Sequence, residues 1–429
     1  MAADSGGINE PLQLEPFIHQ VGGHSSMLQL DEDTICKPLI PQELNFYKTA
    51  PDKLKEFLAE YRGVIEVTFS EAVDGYLDLV AYMPSTYKTS PKRQGSRHNS
   101  LAENEHKTKH RIRLCQSGNI QIESVEAKKA KEESNIEQGQ NGKLFNPWVI
   151  HCHQEQMKKL WKSSSTISQK YILLENRVSK FEFPCILDIK MGTRQYGDTA
   201  SLAKRTSHTA KAAASTSAIL GIRISGMQVY HQESGRYTCH NKYYGRSLTV
   251  DGFHQALYNF LYDGTKVRQC VISALLEKLH KLYSVVQSLN TFRFFTSSLL
   301  IIYDGNSEHY IRNNKNACGE QSITLQLSDN GNIADKQKET KESQSKCCDK
   351  GSASSDTTLC INHKIGKSIE KAECEESLPV VDLCMIDFAH STHSKMPNPP
   401  VTHEGPDEGY LFGLENLIAH LKEIQRTEK

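Results

Sequence analysis

Two long polar segments interrupt the apolar patterning of this 429-residue chain. Residues 84–142 are rich in Ser, Lys, Asn, Glu and Gln, and residues 305–378 are polar and low in aromatic side chains. Such compositions bury too little apolar surface to offset the entropy cost of ordering, so we predict two disordered insertions. A mean hydropathy of −0.54 agrees with cores diluted by unpacked sequence. Any folded body must therefore be assembled from three stretches that lie far apart in the chain.

Before the first insertion, the apolar residues are spaced mainly as in short β-strands. Gly22-Gly23 and Asp74-Gly75 each separate two apolar-rich runs and predict two hairpins. A helical pattern over 42–61 is broken by a proline. The predicted strands are 17–21, 27–30, 34–39, 64–69 and 76–82.

The remaining patterned sequence mixes strands with helices and predicts an α+β fold. Apolar residues at helical spacing are clearest over 271–289, which predicts an amphipathic helix. The predicted strands are 171–174, 184–190, 220–224, 227–230, 297–303 and 380–388, and the other predicted helices are 201–215 and a C-terminal one around 411–421.

The segment PCILDIKMG, residues 184–192, carries two charges on an otherwise apolar strand. Because side chains alternate along a strand, Asp188 and Lys190 share one face, about 7 Å apart. Charged groups are costly to bury without partners. From this strand alone, a structural ion pair and a functional site remain equally open.

A turn and a basic helix follow this strand. Gly192 and Gly197 allow the backbone to approach a ligand closely. The helix dipole and its cations together favour a bound polyanion. The formal net charge of zero argues against bulk electrostatic capture of nucleic acid, so an anionic ligand must be held by this local patch. The basic side chains of the helix are Lys204, Arg205, His208 and Lys211.

Two more residues are candidates for nucleotide chemistry. Asp387 ends an apolar strand, where it could bind Mg²⁺ or cap the next turn, and both interpretations remain open. Lys37 follows a glycine-bearing hairpin, as the strand lysine of protein kinases follows their glycine-rich loop. The Gly-Lys-Ser of residues 366–368 imitates the end of a P-loop, but Ile361 replaces the first glycine of that motif.

The sequence predicts a protein of the cytoplasm. Its N-terminus lacks the basic and apolar regions of a signal peptide, and no apolar run approaches 18 residues. The 12 cysteines contain no CxxC pair, which suits a reducing compartment. Residues 106–113 are either a nuclear-import signal or a solvated charge run. The adjacent residues His151-Cys152-His153 point in different directions and favour a packed cluster over a metal site.

Three motifs in this order resemble those of the inositol polyphosphate kinases. Residues 184–192 match the PxxxDxKxG signature of the family, residues 297–300 its SSLL motif and residues 386–388 its IDF motif. Four longer segments are similar to the hexakisphosphate kinases within this family: LEPFIHQVGGH, KMGTRQYGD, SGMQVY and SSLLIIYDG. The resemblance covers nearly all of the chain outside the two insertions.

The resemblance implies a two-lobed fold related to that of protein kinases, with ATP between the lobes. Residues 1–13 would be a flexible N-terminus. Residues 14–174 would form an N-lobe with an antiparallel sheet and a helix, interrupted by the first insertion. Residues 175–425 would form a larger α+β C-lobe that contains a substrate helix at 201–215 and the second insertion.

The resemblance also assigns roles to individual residues, with Lys190 and Asp387 as the catalytic pair. It implies that Lys37, Glu175, Asn176, Arg177, Asp188 and Asp387 bind ATP, and that Asp387 and Ser298 hold Mg²⁺. It implies that the substrate contacts Pro184, Lys190, Gly192, Lys204, Arg205, Thr206, Ser207, His208, Thr209, Ala210, Lys211 and His390. This chain departs from the family pattern at Thr199, where a second aspartate is usual, and at Ala210, where a basic residue is common.

The implied activity is transfer of the ATP γ-phosphoryl group to a phosphate of inositol hexakisphosphate, and also of a pentakisphosphate, to form a pyrophosphate. An alternative is an inositol polyphosphate kinase that acts on a ring hydroxyl, such as a trisphosphate 3-kinase or a multikinase. A third hypothesis, from a different class, is a non-catalytic scaffold. In each case the two insertions are candidate docking sites for protein partners.

Overall fold

The computed structural model of the chain describes residues 11–82, 109–115, 119–124, 146–160, 167–306, 381–397 and 399–427. These residues form two antiparallel sheets, a two-stranded ribbon and several helices, which confirms the predicted α+β class. Two separate apolar cores, one on each sheet, define an N-terminal and a C-terminal lobe. No helix among the described residues is long and apolar enough to cross a bilayer.

Most of the strands predicted from sequence are present in the structure. Their bounds are β1 Pro11–Gln13, β2 Glu15–Pro16, β3 Leu28–Asp31, β4 Thr34–Pro38, β5 Tyr61–Glu71, β6 Leu77–Tyr82, β7 His110–Leu114, β8 Ile120–Ser124, β9 Ile167–Glu175, β10 Pro184–Met191, β11 Ile222–His231, β12 Arg236–His240, β13 Ser298–Asp304 and β14 Val381–Ile386. The two runs predicted at 220–224 and 227–230 form the single strand β11.

The helices include four in regions where the sequence pattern predicted them and several that it did not predict. Their bounds are α1 Pro41–Thr49, α2 Trp148–Leu160, α3 Leu202–Ala213, α4 Ser217–Leu220, α5 Lys242–Ser247, α6 Val250–Leu261, α7 Gln269–Gln287 and α8 Glu408–Thr427, with a 3₁₀ helix at Asp52–Phe57. Helix α3 begins where the Ser201 side chain accepts a hydrogen bond from the Lys204 backbone N–H.

The N-terminal sheet has the strand order β1-β6-β5-β9-β4-β3-β2, and all of its pairs are antiparallel. A positive φ of 78° at Gly75 turns β5 into β6, as the Asp-Gly pair predicted. Its core contains side chains such as Leu28, Ile65 and Tyr171. Strand β9 lies at its centre and ends at the junction with the C-terminal lobe.

The C-terminal sheet has the strand order β12-β11-β10-β13-β14. Because β10 and β14 are both antiparallel to β13, they run in the same direction and end at the same edge of the sheet. Cys185, Leu187 and Ile189 on one face of β10 pack into a core with α6, α7 and α8. The opposite face of β10, which carries Asp188 and Lys190, is left for the site.

Helix α1 ties the two lobes together. It follows β4 of the N-terminal sheet, yet its Phe46 belongs to the C-terminal core. There Phe46 stacks on Phe388, with 4.0 Å between ring centroids and 13° between planes. Burial of both rings anchors the helix to the residues directly after β14.

The prediction of disorder across residues 84–142 was wrong for a hairpin in its middle. Strands β7 and β8 pair antiparallel, and Ile112, Ile120 and Ile122 are buried in the N-terminal core. Arg111 also donates a hydrogen bond of 2.9 Å to Asp74. Residues 109–113 of the basic run therefore lie in this ordered part, because Ile112, Ile120 and Ile122 supply apolar surface that packs into the N-terminal core. Apart from residues 109–115, 119–124, 305 and 306, the two predicted insertions lie outside the described residues.

The hairpin predicted at 17–21 and 27–30 was wrong in its first strand. The strand that precedes the loop and pairs with Leu28–Asp31 is the short Glu15–Pro16, and residues 17–27 form the loop. The Gln20 amide donates hydrogen bonds to the carbonyls of Gly22 and Ser25 and accepts one from the Met27 N–H. The side chain of Gln20 thus replaces the strand ladder that the apolar pattern predicted.

Candidate active site

A cavity of about 370 Å³ lies between the two sheets. One end is walled mostly by apolar side chains, and the other carries lysines and carboxylates. The apolar walls include Val21, Ile35, Leu174, Ile186, Leu300 and Ile386. The charged residues at the other end are Lys37, Glu43, Asp188, Lys190 and Asp387. Such a division suits a ligand with a flat apolar part and an anionic part.

Asp387 is the centre of the charged end. Its Oδ1 accepts a hydrogen bond of 2.7 Å from Lys37 Nζ, and its Oδ2 accepts one of 3.1 Å from Lys190 Nζ. Burial acts to raise the pKa of Asp387, but the two ammonium groups outweigh it and hold that pKa well below its usual range. Lys37 also donates to Glu43 Oε1 at 2.7 Å, and Lys190 to the carbonyl of Thr296 at 2.6 Å.

Two residues of this centre adopt backbone conformations that are rare for side chains with a Cβ. The φ angles of Thr296 and Asp387 are 62° and 67°. Such strain persists where surrounding structure holds it, and it concentrates at functional sites. Here the turn at Asp387, directly after β14, brings its carboxylate between the two lysines. The turn at Thr296, before β13, places its carbonyl on Lys190.

Asp188 does not pair with Lys190, so the interpretation of a simple ion pair within the strand was wrong. Lys190 bonds to Asp387 and to a backbone carbonyl instead. Asp188 is 2% exposed, and its Oδ1 makes no hydrogen bond of standard geometry among the described residues. Burial raises the pKa of Asp188 to about 6, although the nearby Ser298 hydroxyl acts to lower it. A buried carboxylate oxygen without a partner favours a ligand that donates a hydrogen bond.

The loop of residues 17–27 closes over Asp188. A Cβ built on Gly22 would lie 2.1 Å from Asp188 Oδ2, and one built on Gly226 would lie 2.0 Å from the Val21 carbonyl. Both separations are shorter than any real contact, so glycine is required at both positions. The absence of these two side chains allows the loop to lie directly against strands β10 and β11.

Three of the residues to which the resemblance assigns ATP binding line the cavity where β9 ends: Glu175, Asn176 and Arg177. Arg177 Nε donates to Asp382 at 2.7 Å, and Glu175 Oε2 accepts from the Glu60 N–H at 3.3 Å. The Asn176 N–H bonds to the Asp33 carbonyl at 2.8 Å. These hydrogen bonds fix the segment that connects the lobes, and the apolar walls beside it remain for a ligand.

The basic face of helix α3 lies beside the cavity. Lys204 Nζ lies 3.1 Å from His390 Nε2, and His390 lines the cavity. His208 and Lys211 follow at i+4 and i+7, on the same side of the helix as Lys204. Burial, followed by the charge of Lys204, lowers the pKa of His390. The basic face predicted from sequence is therefore adjacent to the charged end of the cavity.

Several predicted substrate residues are not brought to that face. Arg205 donates to the carbonyls of Ala200 and Asp198, at the start of its own helix. Pro184 begins β10, six residues and about 20 Å from Lys190. Gly192, with a φ of 84°, turns the chain and bonds to the Gly221 carbonyl. Among the predicted residues of the helix, Thr206, Ser207, Thr209 and Ala210 are exposed, as Lys211 is, and Ser207 lies on the same side of the helix as Lys204 and Lys211.

Three cations that the sequence analysis missed extend the basic face. Arg223 is the direct cross-strand partner of Lys190 in the pairing of β10 with β11. Lys242 Nζ lies 3.0 Å from His24 Nδ1, and His24 lines the cavity. Burial, and then the charge of Arg246, lowers the pKa of Arg223 to about 10. In the part of the chain that the structure describes, none of these three cations pairs with a carboxylate.

The charged end of the cavity carries buried oxygen atoms of the kind that hold a divalent cation. Ser298 is fully buried and adjoins Lys190 and Ile386 across the sheet, and its Oγ has no hydrogen-bond partner among the described residues. Glu43 Oε2 is also buried without one. A carboxylate accepts about four hydrogen bonds, so Asp387 retains free lone pairs. Carboxylate and hydroxyl oxygens are ligands that Mg²⁺ accepts. These residues fit such an ion.

The two lobes and the site between them define an ATP-dependent kinase. The family model for inositol polyphosphate kinase matches residues 171–422. The chain is 37% identical to inositol hexakisphosphate kinase 1 from Homo sapiens, covering 96% of this chain and 93% of that protein. It is also 37% identical to inositol hexakisphosphate kinase 3 from Mus musculus, covering 100% and 99%. The chain belongs to the inositol polyphosphate kinase family.

An inositol phosphate multikinase from S. cerevisiae, crystallised with ADP and Mn²⁺, matches with a TM-score of 0.47 and 20% identity. The match covers 91% of this chain and 98% of that structure.

Proposed function

We propose that the protein transfers the γ-phosphoryl group of ATP to a phosphate of inositol hexakisphosphate, and likewise of a pentakisphosphate, to form a pyrophosphate. The observation that carries this proposal is the group of unpaired cations, Arg223, Lys242 and Arg246, beside Lys190. Cations left without carboxylate partners repel one another unless an anion joins them. A fully phosphorylated ring supplies several anionic groups to such a surface at once.

The proposed acceptor explains why the site needs no general base. A phosphate monoester has its second pKa near about 6, so at neutral pH most acceptor phosphates are already ionised. Catalysis is then positioning and charge neutralisation between two anions. ATP would supply the phosphoryl group, and Mg²⁺ would neutralise its charge. Lys190 would hold the acceptor beside the transferred group, and Lys37 would hold the phosphates of the nucleotide.

Asp188 is proposed to orient the nucleotide. It lies on the cavity wall beneath Gly22, and its unpaired Oδ1 suits the hydroxyl of a ribose. Asp387 and Ser298 would hold the metal ion. In this assignment the two aspartates have different tasks, because Asp387 is stabilised as an anion by two lysines and Asp188 is not.

Incubation of the purified chain with Mg²⁺, ATP and inositol hexakisphosphate tests the proposal. We expect a pyrophosphate product, visible as new upfield resonances by ³¹P NMR and as consumption of ATP. Inositol trisphosphate serves as the comparison substrate, since a kinase of ring hydroxyls would phosphorylate it without forming a pyrophosphate. Turnover of the trisphosphate alone would establish the alternative activity and refute the proposal.

The missed cations give a sharper test of the substrate. We expect a Lys242→Ala/Arg246→Ala variant to raise the KM for inositol hexakisphosphate by about 10²- to 10⁴-fold, because charge-assisted contacts contribute about 1.5–3 kcal/mol each. Steady-state kinetics with each substrate varied in turn should show an almost unchanged KM for ATP. Arg236→Ala, which removes an exposed arginine on β12, is the control. An equal rise in both KM values would contradict a role in substrate binding.

A further inference from the structure

A cluster of two histidines and a glutamate joins helices α6 and α8, and none of the three residues lines the cavity described above. His254 Nδ1 lies 3.0 Å from His420 Nδ1 and 3.7 Å from Glu423 Oε2. The donor atoms of all three residues are within 4.8 Å of one another. Three side chains from two helices thus converge on one point of the C-terminal lobe.

We propose that this cluster binds one divalent transition-metal ion of the Zn²⁺ type and thereby fastens the C-terminal helix α8 to α6. Imidazole nitrogens and carboxylate oxygens bind Zn²⁺ at about 2.0–2.2 Å, so two nitrogens around a tetrahedral ion lie about 3.3 Å apart. The observed 3.0 Å between the histidine nitrogens is close to this separation. Mg²⁺ prefers oxygen ligands in an octahedral arrangement, which makes this a different kind of site from the one at Asp387.

The local structure favours this geometry in two ways. His420 and Glu423 are three residues apart on α8, so they lie on the same face of the helix. The His420 ring packs edge-on against Phe253, at 5.5 Å between centroids and 62° between planes, which fixes its orientation toward α6. The Glu423 side chain is 62% exposed and is free to close on an ion. A fourth position is left for water.

The test compares zinc binding by full-length variants. The EDTA-treated protein is titrated with ZnCl₂ against a chromophoric chelator, and its thermal midpoint is measured with and without Zn²⁺. The variants are His254→Gln and His420→Gln. His280→Gln is the matched control, because His280 is a histidine on the neighbouring helix α7 whose Nδ1 bonds to the Leu276 carbonyl and which lies outside the cluster.

We expect the unmodified chain and His280→Gln to bind one more equivalent of Zn²⁺ than either cluster variant, or to bind it at least tenfold more tightly. Zn²⁺ should raise the thermal midpoint only where the cluster is intact, because the ion joins two helices in the native state alone. Kinase activity with Mg-ATP should be equal in all four proteins and reports correct folding. Identical stoichiometry and identical thermal response in all four would overturn the proposal and leave the cluster as a hydrogen bond between imidazoles.

Discussion

An Asp387→Asn variant is expected to lose about 10³-fold in kcat while folding normally. The substitution removes the negative charge that joins Lys37 and Lys190, as well as the carboxylate proposed to hold the metal ion. Loss of one such electrostatic group commonly costs about 10²–10³ in rate, and loss of a metal ligand adds to it. Steady-state kinetics at saturating ATP and inositol hexakisphosphate give the value directly.

Asparagine is the appropriate replacement because of the backbone. Asp387 has a φ of 67°, and Asn adopts this region more readily than most residues, so the variant tests the charge rather than the strain. The circular dichroism spectrum should therefore match that of the unmodified chain. Asp251→Asn, which changes an exposed carboxylate on α6, is the control and should leave kcat unchanged. A kcat within tenfold of the unmodified chain would remove Asp387 from the chemistry.

The site residues that could be predicted from sequence, Asp188, Lys190 and Asp387, are all recognisable from the few residues around them. Asp188 and Lys190 are two positions apart on one strand, and alternation alone places them on the same face. Asp387 directly follows an apolar strand, where a polar side chain can leave the sheet. Such positions can be predicted without knowing which strands are neighbours. The structure brings all three to the same cavity.

The missed residues depend on contacts between distant parts of the chain. Arg223 is important because β11 pairs with β10 in a register that sets it opposite Lys190, and no pattern within β11 shows this. Lys242 and Arg246 lie on a six-residue helix whose position depends on packing against β11. Glu43 anchors Lys37 only because α1 packs into the C-terminal core. Sequence periodicity carries no information on such pairings.

Two predictions were wrong although the local sequence carried a clear pattern: the strand at 17–21 and the disorder of the hairpin within residues 84–142. In both, the pattern was misinterpreted. Phe17, Val21 and Met27 are apolar because they line the cavity, so a strand was predicted where a loop lies. Ile120 and Ile122 alternate with polar residues as in a strand, but the polar sequence around them favoured disorder. A few buried isoleucines against an existing core are enough to order a hairpin in polar sequence.

The second large effect is expected from Asp188→Asn, which should stabilise the protein and weaken nucleotide binding. The pKa of Asp188 is raised from 3.8 to about 6 by burial. A raised pKa means that this carboxyl contributes most to stability below pH 3.8, and that its contribution is lost as the pH rises through about 6. The difference corresponds to about 3 kcal/mol in the free energy of unfolding. Asparagine stays neutral and avoids this loss.

Denaturant unfolding of both proteins without nucleotide should therefore give nearly equal stability near pH 4 and an advantage for Asp188→Asn that grows between pH 4 and about 6 and levels off near pH 7. At pH 7 the KM for ATP should rise about tenfold, because the proposed ribose contact loses its charge. The pH profile of kcat at saturating ATP should keep its shape, since Asp188 is proposed to orient the nucleotide. Loss of the acidic limb of that profile would instead identify Asp188 as a general base and favour a hydroxyl acceptor.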